Sequence, residues 1–492
     1  MRACGILMPI YSLPSKYGIG CFSKEAYDFV DFLKESGQSY WQILPLGSTG
    51  YGDSPYQSFS TFAGNPYFID LETLAKEGLL TTEECEEYDF GQDKRYIEYD
   101  KIYFSRFKIL RKAFDRSRDK TDIEYENFKK ENDFWLKDYT LYTAVKRHFN
   151  EVSWNKWDDD IKLRTPEAVK RYSEELKDDI EFYKFIQFKF WEQWNKLKNY
   201  ANKNKIKIIG DIPIYVAFDS ADSWSNPQLF KFDKQNNPIE VAGCPPDGFS
   251  LKGQLWGSPI YDWDYHKKTS YSWWIQRILY CFKLYDVVRI DHFRGFDEYY
   301  TIPFGQPTAE FGHWEKGPGL DFFHALNSKI GKVEIIAEDL GFVTDSVRKL
   351  VKDTGYPGMK VLEFAFDSRE ENDYLPHNYE KNCVVYTGTH DNDTIKGWYK
   401  SLPKKDKQMS IDYLGNEKTN FKDIHWDFIR LALSSVANYA IIPIQDYLGL
   451  GEEARMNTPS TVGGNWKWRL LDGEITKELS LKIKKMVKLY SR

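Results

Sequence analysis

Eight short runs of apolar and β-branched residues recur along the chain, each stopping at glycine or at a polar side chain. They are CGILMPIYS (4–12), YWQILPLGS (40–48), IKIIGDIPIYV (206–216), DVVRIDHF (286–293), VEIIAEDLG (333–341), KVLEFAF (360–366), CVVYTGTHD (383–391) and YAIIPIQD (439–446). Nearly continuous apolar runs of this length belong to strands covered on both faces. Amphipathic stretches such as SKEAYDFVDFLKESG and TDSVRKLVKDTG lie between them. Strand and helix therefore alternate, which predicts an α/β chain closed into a (β/α)8 TIM barrel.

A plain barrel needs ~250 residues, and this chain has 492. One decorated domain over 1–492 is expected, with a mainly helical insertion at 66–200 and a second insertion at 217–285. Leu176, Ile180, Tyr183, Phe190, Trp194 and Leu197 follow helical spacing in the first, a stripe that predicts core packing. The second contains VAGCPPDGFSLKGQLWGSPIYDW, rich in Gly and Pro and carrying Gln254 and Trp256, which reads as a loop over the barrel mouth. The last helix of the barrel is expected to end the chain, without a C-terminal β-sandwich.

Lys+Arg 68 against Asp+Glu 74 gives a net charge of -6, and no basic block could follow a phosphate backbone, so nucleic acid is not an expected partner. No apolar run is long enough to span a bilayer, and MRACGILMPIYSLPS lacks the features of a secretory signal, so a cytoplasmic protein without a membrane partner is expected. The 6 cysteines are scattered with no CxxC spacing and read as small buried hydrophobes. An aromatic content of 17% suits either a large core or platforms for flat ligand faces.

In a barrel of this kind, chemistry sits at the carboxyl ends of the strands. Four of the runs end in acids there: Asp211, Asp291, Glu338 with Asp339, and Asp391. Any one alone reads as a helix cap or a turn residue. Together they form a constellation that cations, hydrogen bonds or a ligand must balance. Alternation puts Arg289 on the face of Asp291, so the guanidinium is expected to hold that carboxyl ionised, as a nucleophile requires. Glu338 follows two isoleucines and an alanine, an apolar wall expected to raise its pKa into the range of a proton donor. That split is the one a retaining glycosidase uses. His390 and Asp391 fit as partners of sugar hydroxyls or as satisfied buried polar groups; alternation sends His292 away from Asp291.

RIDHFRG, AEDLG, GTHDND and GDIPIYVAFDSADSW resemble the strand-end motifs of the 4-α-glucanotransferases, the amylomaltase or disproportionating-enzyme branch of the α-amylase clan. SPYQSFSTFAGNPYFIDL, PPDGFSLKGQLWGSPIYDW and ARMNTPSTVGGNWKWRL extend the resemblance over nearly the whole chain. It implies transfer of α-1,4-glucan segments, with Asp291 as nucleophile, Glu338 as general acid/base and Asp391 as the third carboxylate. It also implies that Asp211, Arg289, His390 and Tyr56 hold the sugar at the cleaved bond, that Gln254 and Trp256 lie over the acceptor side, and that Asn465 faces the cleft.

The implied partners are maltodextrins, starch- or glycogen-derived α-1,4-glucans and glucose as acceptor, with the protein a monomer or small homo-oligomer. DIPIYV lacks the Asn-His pair common in the wider clan, which argues against transferring amylase calcium sites, and neither metal nor cofactor is expected. The alternative on the same scaffold is a retaining α-glucan hydrolase. A metal-dependent barrel hydrolase is disfavoured by the lack of HxH and HExxH. A non-catalytic glucan-binding protein is disfavoured because all three carboxylates are present.

Overall fold

Parallel pairing joins the eight runs into one sheet in the computed structural model, which describes residues 2–50, 52–118, 122–246, 250–341, 343–369, 372–416 and 420–492. The strands, in spatial order, are Gly358–Val361, Cys383–Tyr386, Tyr439–Pro443, Ala3–Leu7, Tyr40–Gln42, Lys207–Pro213, Val287–Asp291 and Ile335–Ala337. The two ends meet where the Ala337 N–H donates to Pro357 O at 3.0 Å, closing a (β/α)8 barrel. Gly5 is required inside the Ala3–Leu7 strand, because a Cβ there would lie 2.6 Å from Tyr40 O.

The strands are shorter than the apolar runs that announce them. Ile214, Tyr215 and Val216 are buried although their strand ends at Pro213. Two of the acids shift accordingly. Asp211 lies inside its strand and not at its end, and Asp391 lies in the turn after a strand that ends at Tyr386.

Between the second and third barrel strands the chain is mainly helical, and its longest helix is Lys177–Lys203. Ile180, Tyr183, Phe190, Trp194 and Leu197 are buried along it, with Leu176 half-buried at its N-cap. Two glutamines on the same helix clamp the loop that leads from the second strand. Gln187 exchanges hydrogen bonds with the Gly64 backbone at 2.8 and 2.9 Å, and Gln193 accepts from the Asp70 N–H at 2.7 Å. Such buried side-chain-to-backbone bonds fix a segment whose own β-pairing is limited to isolated bridges such as Gly47 with Gly64.

The Gly- and Pro-rich stretch expected to be a loop instead contributes two strands, Glu240–Cys244 and Gln254–Pro259, to a four-stranded antiparallel sheet with Glu298–Pro303 and His313–Lys316. Gln254 and Trp256 thus stand on a strand, two residues apart and on one face; residues 247–249 of the stretch lie outside the described residues. The six cysteines are free, and Cys244, on this sheet, is half-buried where burial was expected. Among the described residues, no helix is long and apolar enough to cross a membrane.

Candidate active site

The parallel register sets Asp211 of the third strand directly opposite Arg289 of the fourth. Both are buried, and Arg289 Nη1 donates to the two Asp211 oxygens at 2.8 and 2.6 Å. Arg289 Nε lies 3.4 Å from Met359 Sδ, and the Tyr386 hydroxyl donates to Gln42 Oε1 at 2.8 Å, so five barrel strands supply this layer of the interior. The second face of the guanidinium is what reaches the mouth of the barrel: Nη2 stands 3.0 Å from Asp291 Oδ1.

Sharing the cation changes the expected electrostatics of Asp291. Burial raises its carboxyl, Arg289 opposes this, and Asp211 and Asp391 add negative charge, leaving it pushed up to about 6. The expectation that Arg289 would hold Asp291 below the ordinary range fails first because burial outweighs the guanidinium, and then because Asp211 shares that cation through Nη1. Glu338 stands immediately after the fifth strand. Burial first, and then the Asp291 charge, push Glu338 up to about 7, against two backbone donors: the His292 N–H to Oε2 at 2.6 Å and the Leu340 N–H to Oε1 at 2.7 Å. Glu338 is therefore the weaker acid of the pair, the order that nucleophile and proton donor require.

A second cluster closes the other side. His390 is buried, and its Nε2 lies 3.3 Å from Asp391 Oδ2. Desolvation pushes Asp391 up, but His390, the Asn457 amide and Arg289 outweigh it and hold the carboxyl down to about 2. His390 in turn is raised by Asp391, against the effect of its own burial. The Tyr56 ring stacks on His390 at 5.0 Å between centroids, and its hydroxyl donates to Asp211 Oδ2 at 2.8 Å. Tyr56, Asp211, Arg289, Asp291, His390 and Asp391 are thus one connected network.

Trp256 contacts both Gln254 and the residue that follows Asp291. The indole Nε1–H donates to Gln254 Oε1 at 3.1 Å, and the Trp256 ring meets His292 edge-to-face at 4.8 Å. Strand alternation does not govern His292, which turns into the left-handed region directly after Asp291.

The profile of the 4-α-glucanotransferase family matches residues 8–475. The chain belongs to this family. It is similar to the 4-α-glucanotransferase of Clostridium butyricum, 52% identical over 99% of this chain and 100% of that one, and to that of Thermus thermophilus, 44% identical over 100% and 99%. Among solved structures it is similar to the amylomaltase from Streptococcus agalactiae in complex with acarbose, with a TM-score of 0.97, 41% identity and 100% coverage of both chains. The activity of the chain is accordingly 4-α-glucan transfer.

Near the C-terminal end of this glucanotransferase, two asparagines lie in the segment that follows Arg455. Asn465, expected to face the cleft, accepts from the Thr458 N–H at 3.0 Å through Oδ1 and donates from Nδ2 to Thr461 Oγ1 at 3.0 Å, contacts that brace the 458–465 loop. Asn457, which sequence reasoning passed over, donates from Nδ2 to Asp391 Oδ1 at 2.6 Å. Arg455 secures it, bonding Asn457 O at 2.7 Å and Asp391 O at 2.8 Å. Asn457→Ala is expected to lower kcat/KM for disproportionation on the order of tenfold or more, since it removes a hydrogen bond to a charged group at the site. Unchanged kinetics would show that His390 alone suffices to hold Asp391.

Among the described residues one further trio, Glu240, His313 and Glu315, has ligand atoms within 4.8 Å of one another. The Lys231 ammonium already pairs with Glu315 and lies 3.7 Å from Glu240, so the cluster carries its own cation.

Proposed function

We propose that the chain moves α-1,4-glucan segments from a donor maltodextrin to the 4-hydroxyl of glucose or of another glucan by a double displacement through a glycosyl-enzyme on Asp291. The observation that carries this reading is the division of labour between two acids on neighbouring strands. Asp291 is presented by Arg289, whereas Glu338 sits in a drier wall as the weaker acid.

In the first step an Asp291 oxygen bonds to C1 of the donor sugar as the C1–O bond breaks, and the proton on Glu338 passes to the departing oxygen. In the second, the ionised Glu338 takes the proton of the acceptor 4-hydroxyl, whose oxygen replaces Asp291 at C1. Two inversions give net retention. Asp391 and His390 hold hydroxyls of the donor sugar, Tyr56 supplies the flat face beside it, and Asp211 fixes Arg289. Starch- or glycogen-derived dextrins in the cytoplasm are the proposed source of donors.

Transfer competes with hydrolysis, since water can replace the acceptor. We assign the suppression of water to Trp256 and Gln254, which position an acceptor sugar and raise its effective concentration over that of poorly held water. Incubation with maltotriose tests the whole reading: a ladder of longer dextrins plus glucose is expected, and shorter products alone would replace transfer by hydrolysis. On the same substrate, Trp256→Ala is expected to shift products toward hydrolysis by on the order of tenfold. A constant ratio would remove the tryptophan from that role.

A further inference from the structure

We propose that His292 is a positioning residue that joins the acceptor-side wall to the proton donor, its backbone aiming Glu338 and its ring supporting Trp256. The proposal rests on the roles given above to Glu338 and Trp256. His292 follows Asp291 directly and adopts φ 53 and ψ 46. A residue continuing the strand would keep its N–H in the ladder, but the chain turns after Asp291 and this N–H meets Glu338 Oε2 at 2.6 Å. The next N–H, of Phe293, reaches the Glu338 backbone oxygen at 3.0 Å. Two successive donors thus clasp the one residue that must exchange a proton with the substrate.

The imidazole goes elsewhere. It meets the Trp256 ring at 4.8 Å and 88°, the edge-to-face geometry that aromatic quadrupoles favour. Its Nε2 is buried and has no hydrogen-bond partner among the described residues. Burial, with the Arg294 charge, pushes the imidazole down to about 3, so the ring stays neutral over the working range. The side chain is spent on contact with the indole and not on proton transfer. One residue therefore touches both halves of the site, and does so through separable parts.

Two substitutions take the parts away in turn. Asn tolerates the left-handed region better than most residues, so His292→Asn keeps the N–H in place while removing the ring. The expected result is a transfer-to-hydrolysis ratio on maltotriose lower by on the order of tenfold, with the alkaline limb of the pH–rate profile where it was. A β-branched residue is an outlier in that region, so His292→Val also disturbs the turn that holds the His292 and Phe293 N–H groups on Glu338. A hydrogen bond to the carboxylate favours its ionised form, so losing it raises Glu338 further. The alkaline limb is then expected to move up by about one pH unit, together with the fall in ratio. Both variants leave in place the groups that face Glu338 from the surrounding elements: Arg289 and Asp291 from the fourth strand, Arg294 from the turn after it, Tyr374 beyond the sixth and Tyr386 on the seventh.

If His292→Val does not fold, His292→Ala carries the same measurement, because alanine also abandons the left-handed region. An unmoved ratio in the Asn variant overturns the proposal. So does an alkaline limb that stays or moves down in the Val or Ala variant. A residue that merely packs would lower the melting temperature and leave both readouts alone. Glu338→Gln, compared on an α-glucosyl fluoride that leaves with little protonation and on a maltodextrin that needs it, separates the role of Glu338 from the role of His292. If that comparison removes Glu338 from acid catalysis, the underlying reading fails; if it upholds Glu338 while the His292 variants do not respond, only the link through His292 fails.

Discussion

Alanine in place of Asp291 is expected to abolish transfer and hydrolysis together, lowering turnover of maltotriose by on the order of 10⁴-fold or more, while the variant melts cooperatively close to the parent temperature. Both products require the same covalent bond to C1, so neither escapes the loss. Stability is spared because of the way Arg289 is shared. Removing the Asp291 carboxylate leaves the buried guanidinium still bound by both oxygens of Asp211, so no charge is orphaned. Asp211→Ala is the contrasting case. It strips a buried cation of its main partner, a loss that costs about 3–5 kcal/mol in buried pairs, and its melting temperature should fall with its activity. Product chromatography and thermal melts on the two variants make the distinction. Substantial turnover by Asp291→Ala would end its assignment as nucleophile.

The barrel was legible because strands covered on both faces must be apolar throughout, and eight such runs alternating with amphipathic helices leave few closed arrangements. Where each strand stops was not legible. Ile214, Tyr215 and Val216 are as apolar as the strand before them because the loop they form is buried too. Composition records burial, not hydrogen bonding. The four-stranded sheet escaped notice for the opposite reason: QLWGSP mixes Gly, Pro and polar residues, which read as loop until the antiparallel partner is known.

Within the site, the two-residue spacing of Arg289 and Asp291 placed them together, but the partner that divides the cation's charge comes from register. Asp211 pairs across strands, and nothing local to RIDHF announces it. Asn457 was invisible on similar grounds, since a single amide in MNTPS gains its meaning only from a contact with Asp391 far away in sequence. His292 broke the alternation rule because one left-handed residue ends the strand, and no glycine marked the spot.

Glu338→Gln is expected to lose on the order of 10³-fold in kcat/KM, which reports formation of the glycosyl-enzyme, on maltodextrin and far less on an α-glucosyl fluoride, whose leaving group departs with little protonation. The amide keeps the shape, and its single oxygen can accept only one of the two N–H bonds that His292 and Leu340 make to separate carboxylate oxygens; it has no proton to give and no charge with which to take one. Base catalysis of the second step is lost as well, so with the fluoride donor the glycosyl-enzyme on Asp291 should accumulate and be detectable as added sugar mass. The pH dependence follows from the same two groups. They titrate as a pair with apparent values of about 6 and about 7, and the active form carries one proton, on Glu338. Activity should rise as the first proton leaves Asp291, fall as the second leaves Glu338, and peak between the two values. In Glu338→Gln the alkaline limb should vanish, because the amide does not titrate. Equal losses on the fluoride and the dextrin, or an alkaline limb that survives the substitution, would place the proton donor elsewhere.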